Sequence, residues 1–208
     1  RDDGTTYLAS NWFIITDAPH FIEFDWRAAT AAGANNGGLT LWIDGAQQAD
    51  LTGIDNDTRR IDRARLGAVS GLDTGNSGSY YFDAFESRRQ TYIGSGTALP
   101  DVIFADGFEA DSPGFSTFSA WASNSNGGGD LKVSTAAAII GGRGIQAVIN
   151  DTTAMYVRDY SPANETRYRA RFYFDPNSID MSAASGDKTH VIFDAGTSPA
   201  FQIQLHYT

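Results

Sequence analysis

Strict alternation of apolar and polar side chains is the feature that most limits the folds open to this chain. In His20-Phe21-Ile22-Glu23-Phe24-Asp25-Trp26-Arg27, an extended backbone puts Ile22, Phe24 and Trp26 on one face and Glu23, Asp25 and Arg27 on the other. The same period of two recurs in Leu39-Thr40-Leu41-Trp42-Ile43, which runs into the hairpin signal Asp44-Gly45, and in residues 201–207. It also recurs in residues 167–174, where Arg167, Arg169 and Arg171 oppose Tyr168, Ala170, Phe172 and Phe174. Strands of this kind have one buried and one wet face. Residues 7–16 hold the apolar run Asn11-Trp12-Phe13-Ile14-Ile15 closed by Asp17-Ala18-Pro19, and are expected to form a further short strand. Further strands are expected in 61–69, 80–87, 131–133, 144–149, 155–157 and 190–193. No helical period is evident, and turn residues interrupt the chain at short intervals. The expected fold class is all-β, an antiparallel β-sandwich.

The charge balance narrows the partners. A formal charge of −10 offers no clustered Lys/Arg face with which to release phosphate counterions, so nucleic acid is not an expected partner. An anionic membrane surface is disfavoured for the same reason, and no window of about 18 apolar residues is available for membrane insertion as a helix. The absence of cysteine rules out disulfides, thiolate metal sites and a thiol nucleophile, and leaves the compartment open. The opening Arg1-Asp2-Asp3-Gly4 reads like a processed or excised end.

In the middle of the chain a strand-like run is followed by a near echo of itself. Tyr80-Tyr81-Phe82-Asp83-Ala84-Phe85-Glu86-Ser87 precedes a connector, Ser95-Gly96-Thr97-Ala98-Leu99-Pro100, and then comes Phe104-Ala105-Asp106-Gly107-Phe108-Glu109-Ala110. The runs ending in Asp44-Gly45 and in Glu86-Ser87 resemble late strands of laminin G-like jelly rolls in the concanavalin A-like lectin/glucanase superfamily. Asp106-Gly107-Phe108-Glu109, with Phe118-Ser119-Ala120-Trp121, resembles their first strands in bacterial surface proteins. Late elements therefore precede early ones. The resemblance implies that 1–93 is the C-terminal half of one jelly roll, 94–101 a linker and 102–208 the N-terminal half of the next. A self-contained permuted sandwich is the rival reading, since termini often lie close together. The resemblance also implies an extracellular or cell-surface, non-enzymatic unit that pairs with copies of itself in a homopolymer or tandem array.

Three groups of residues are candidates for chemistry. Glu23 and Asp25 match two members of the Glu-x-Asp-x-Glu or Glu-x-Asp-x-x-Glu strand of the superfamily's glucanases, whose outer pair supplies nucleophile and acid. Arg27 and Ala28 stand where the third carboxylate belongs, so an ordinary polar sheet face is the competing reading. With Trp42, which falls on the same face as Thr40 and Asp44, they form a candidate glycan-binding surface, unless Trp42 belongs to a sheet buried on both sides. Asp83 and Glu109 are candidates for a structural Ca²⁺ at the seam of first and last strands, as the resemblance implies, against a reading as ordinary carboxylates. Asn56, Asn150 and Asn164 head Asn-x-Thr sequons.

Overall fold

The alternating segments become strands in a computed structural model that describes residues 1–4, 6–94, 101–183 and 188–208. The described residues form β1 (His20–Arg27), β2 (Gly37–Ile43), β3 (Ala46–Ile54), β4 (Ala64–Ser70), β5 (Gly78–Arg88), β6 (Val102–Asp106), β7 (Ser123–Ser125), β8 (Leu131–Ser134), β9 (Gly144–Ile149), β10 (Met155–Asp159), β11 (Arg167–Asp175), β12 (Thr189–Ala195) and β13 (Phe201–His206). One sheet of eight strands runs β3-β2-β1-β11-β5-β9-β8, with β6 also on β5, and a second runs β13-β12-β4-β10-β7. Every pairing is antiparallel. The protein is an all-β sandwich, jelly-roll-like, whose two inner faces form the core.

Strands from the two halves of the sequence are shuffled together. In the large sheet β11 lies between β1 and β5, and in the small sheet β4 lies between β12 and β10. After the connector, whose residues 95–100 fall outside the described part, β6 returns to pair with the strand that precedes it: Phe104 stands opposite Ser87 and Asp106 opposite Phe85. Within this chain, 1–93 and 102–208 complete a single sandwich.

β5 makes this arrangement possible by changing phase in mid-strand. Arg171 of β11 faces Glu86, whereas Tyr173, two residues on, faces Asp83, so Ala84 and Phe85 share the place opposite Phe172. This is a β-bulge, and Ala84 sits in its left-handed position with φ 46°. Before the bulge Tyr80 and Phe82 point inward; after it Phe85 and Ser87 do, while Glu86 and Arg88 turn to the outer face. The free side of β5 changes neighbour at the same point, from β9 along 78–82 to β6 along 85–88.

Aromatic rings fill the space between the sheets. Phe24 of β1 meets Phe193 at 4.8 Å and Phe201 at 4.9 Å, and Phe85 meets Trp121 at 5.3 Å. One polar chain crosses this core: the Tyr80 hydroxyl lies 2.5 Å from His190 Nδ1, and His190 Nε2 lies 2.9 Å from Asn76 Oδ1. The asparagine oxygen can only accept, so Nε2 carries the imidazole proton and Tyr80 donates to Nδ1.

The expected strand over 7–16 does not form. Its neighbour is β13, beside which it runs in the same direction, with Arg1 bonded to Ala200 and Trp12 stacked on His206. Antiparallel pairing is closed to it there, and no backbone N–H from Tyr7 to Thr16 finds an acceptor among the described residues. The strand expected from Ile61 starts at Ala64; Ile61 makes an isolated bridge to Glu165.

A left-handed alanine costs about 1 kcal/mol relative to glycine, partly offset by glycine's greater freedom when unfolded. Ala84→Gly should therefore leave the unfolding free energy measured in urea unchanged or raise it by up to about 1 kcal/mol, while Ala84→Val should lower it by more than about 1 kcal/mol. A glycine variant clearly less stable than the parent would show that the bulge is not the strained element.

Candidate functional site

The outer face of the large sheet collects the charged positions of three strands into rows. Glu23 of β1 stands opposite Arg171 of β11, which stands opposite Glu86 of β5; Asp25 likewise faces Arg169, which faces Arg88. Arg167 grips Asp25 through Nε at 3.0 Å and Nη2 at 2.8 Å, and Arg169 Nη2 adds a third bond at 2.9 Å. Such forked contacts are the strong form of the ion pair. Arg88 Nε donates to Glu86 Oε1 at 2.6 Å. The three arginines of β11 are thus matched by carboxylates on the adjoining strands.

A strap of the chain's own backbone then covers Glu23. Gln90 and Thr91 donate their N–H groups to Asp101 Oδ2, both at 2.7 Å, which turns the chain back over the sheet. Ile93 N–H donates to Glu23 Oε1 at 3.0 Å and Gly94 N–H to Oε2 at 3.2 Å, while Arg171 donates to the Gly94 carbonyl. Glu23 is completely buried as a result, and Asp25 is 4% exposed. Trp42 is half-buried beside them: its ring lies 6.0 Å from Tyr92 of the strap at a steep angle, and the Arg169 guanidinium sits 5.6 Å from Trp42 and 5.7 Å from Tyr92. The candidate glycan-binding residues Trp42, Glu23 and Asp25 are therefore neighbours, but each is engaged from within the chain. Sequence reasoning missed Glu86, Arg88 and Tyr92, since the bulge that turns the first two outward breaks the alternation that would have placed them.

Asp83 and Glu109 lie at two ends of one short loop. Asp83 accepts the N–H groups of Ile139 at 2.9 Å, Ile140 at 2.7 Å and Ala84 at 2.6 Å; Glu109 Oε1 accepts those of Gly142 at 2.7 Å and Arg143 at 3.0 Å. Burial pushes the Asp83 carboxyl up to about 6, against the pull of its three N–H donors, and the nearby Glu109 adds to the rise. Donors from the loop surround both carboxylates, an arrangement that holds the loop and does not fit a cation, which asks for converging oxygen ligands.

Of the three sequons, Asn56 is buried: it accepts the Ala29 N–H at 2.6 Å and donates to the Arg27 carbonyl at 3.2 Å, so its amide has no free face for a glycan. Asn150 and Asn164 are both exposed.

A large opening lies elsewhere. A cavity of about 1040 Å³ separates β13 from the inner faces of β1–β3, lined by Trp26, Leu39, Leu41, Leu51 and Ile203 and roofed by residues 7–16. Its walls are apolar and carry no convergent acid–base pair. Compared with protein-family models and with curated proteins, the chain matches none.

Two expectations follow. In Glu23→Gln one amide hydrogen must face an N–H of the strap and Arg169 loses a charged neighbour 3.7 Å away, so the variant should be less stable by about 1–3 kcal/mol in urea; an unchanged midpoint would show that the strap is not anchored there. The second concerns acid. Burial depresses His190 to about 4 from 6.5, so the stability tied to its neutral form is present above pH 6.5 and lost, by about 3 kcal/mol, as pH falls to 4. Asp83 acts in the opposite sense, because a raised carboxyl favours folding as pH falls from about 6 towards its unfolded value of 3.8. Asp83→Asn should thus steepen the loss of stability between pH 6.5 and 4, and His190→Gln should flatten or invert it, as read from melting temperatures across that range.

Proposed function

We propose that this chain is a non-enzymatic structural unit of an extracellular surface fibre or adhesin array, assembling from copies of itself by strand pairing. The observation that carries the reading is the permuted order of the motifs; the interleaving of the two segments is common to it and to a self-contained permuted sandwich. Segments 1–93 and 102–208 meet along β1–β11, β5–β11, β5–β6, β5–β9, β4–β10 and β4–β12. The same pairings would form if the second segment came from a neighbouring copy, which is how identical elements are exchanged in swapped assemblies. The permuted order of the motifs is what such a unit would carry.

Glycan binding and glucanase-like hydrolysis have less support. Glu23 lies under the strap, Asp25 is held by two arginines, and Trp42 packs beside Arg169 and edge-on to Tyr92, so a sugar would have to displace contacts already made. Calcium enters this reading only as a structural ion, and the donors around Asp83 and Glu109 argue against it at that place.

Light scattering and electron microscopy from low micromolar to millimolar concentration test the proposal. Species that grow with concentration in multiples of 22.4 kDa are expected. A monodisperse 22.4 kDa particle across the whole range would overturn it.

A further inference from the structure

The side of the sandwich bounded by β13 and residues 7–16 differs from the rest of the surface. Among the described residues β13 pairs only with β12, so one edge of its backbone has no strand partner there. Residues 7–16 are tied at both ends and free between: Arg59 holds the Asp2 and Gly4 carbonyls at 3.0 and 3.2 Å, and Asp17 holds the Ser178 N–H at 2.6 Å. In between, Tyr7, Leu8, Trp12 and Ile14 are 64%, 41%, 55% and 101% exposed.

Charge singles out the same side. Residues 6–16 and 195–208 contain no Asp, Glu, Lys or Arg, in a chain whose formal charge is −10. Natural edge strands are usually blunted by charge, proline or a covering element. Here the edge is uncharged, and the segment beside it makes no backbone hydrogen bond to it among the described residues. Two copies of an acidic protein repel over most of their surfaces, and this side is where they meet with least repulsion.

We propose that this side is the docking face for a second copy, the exposed side chains of 7–16 on each copy packing onto the 7–16 segment and the exposed β13 side chains of the other about a twofold axis. The inference rests on the self-assembly reading and supplies one pairwise contact within it; a twofold contact closes on itself, so further growth falls to the exchanged segments. Burying Tyr7, Leu8, Trp12 and Ile14 on both copies removes on the order of 1,000 Å² of surface from water, at the lower bound for a specific interface. The contact is therefore a weak one, in the micromolar range, and closes two cavities at once.

The test uses the whole chain and its lack of cysteine. In sedimentation equilibrium, Ile14→Lys puts a charge on a fully exposed side chain without touching the core, and should weaken association at least about tenfold. Phe115→Lys is the control: Phe115 is 63% exposed but bonds through its carbonyl to Val133 of β8, at the far edge of the large sheet, and association should be unchanged. Tagged Ser10→Cys and untagged Gln204→Cys chains, mixed and oxidised, should yield a disulfide-linked heterodimer. If the parent protein associates and Ile14→Lys associates equally well, or no 10–204 product forms, the docking face is wrong while self-assembly stands. If the parent protein is a monomer at every concentration, both readings fall.

Discussion

The phase change in β5 is the constraint on which the rest of the sandwich depends. A regular strand from Gly78 to Arg88 would put Tyr80, Phe82, Ala84 and Glu86 on one face, with a carboxylate in the core. The extra residue at Ala84–Phe85 brings Phe85 and Ser87 inward instead, and Phe85 then meets Trp121 and Phe193. The same step delivers Glu86 and Arg88 to the outer face, where Arg171 and Tyr92 wait for them. Asp83 holds the bulge to the loop that follows β8, through the N–H groups of Ile139 and Ile140. Its burial raises its pKa, and the energetic cost of that burial is borne at the point where the strand exchanges β9 for β6.

The outer face shows how charged residues come to be buried without breaking the rules of burial. Glu23 has two N–H donors and lies beside Arg169; Asp25 has three guanidinium bonds. Removing one member of such a lattice leaves an uncompensated charge, so the lattice is far more costly to break than it is favourable to form. What it contributes is position: it fixes the register of β1, β11 and β5 and pins the strap that leads towards the connector.

Most strands were legible from local pattern, because alternation along β1, β2, β11 and β13 reports directly on a face that is buried on one side. β3 was not, since Ala46-Gln47-Gln48-Ala49-Asp50 lies on an edge with little to bury. Residues 7–16 misled for the converse reason: they have the apolar run of a strand, yet a strand needs a hydrogen-bonded partner, which local pattern does not report and which no backbone N–H from Tyr7 to Thr16 finds among the described residues. The pairing of arginines with carboxylates was foreseeable from opposite charges on wet faces. The burial of Glu23 was not, because it depends on backbone groups at Ile93 and Gly94, seventy and seventy-one positions away. Asn56 shows the same limit: a sequon reads as exposed until the Ala29 N–H and the Arg27 carbonyl claim its amide.

The two sides of this molecule thus solve the edge problem differently. On the outer face of the large sheet the arginines of β11 and the carboxylates of β1 and β5 find partners within the same chain, and the strap seals the centre. At the other end the two sheets part around a cavity of about 1040 Å³, and among the described residues the segment beside β13 makes no backbone–backbone bond to that edge strand. Apolar walls that stand apart forfeit contacts that close-packed interiors normally keep. Saturation in one place and unmet valence in another is the contrast on which the self-assembly proposal builds.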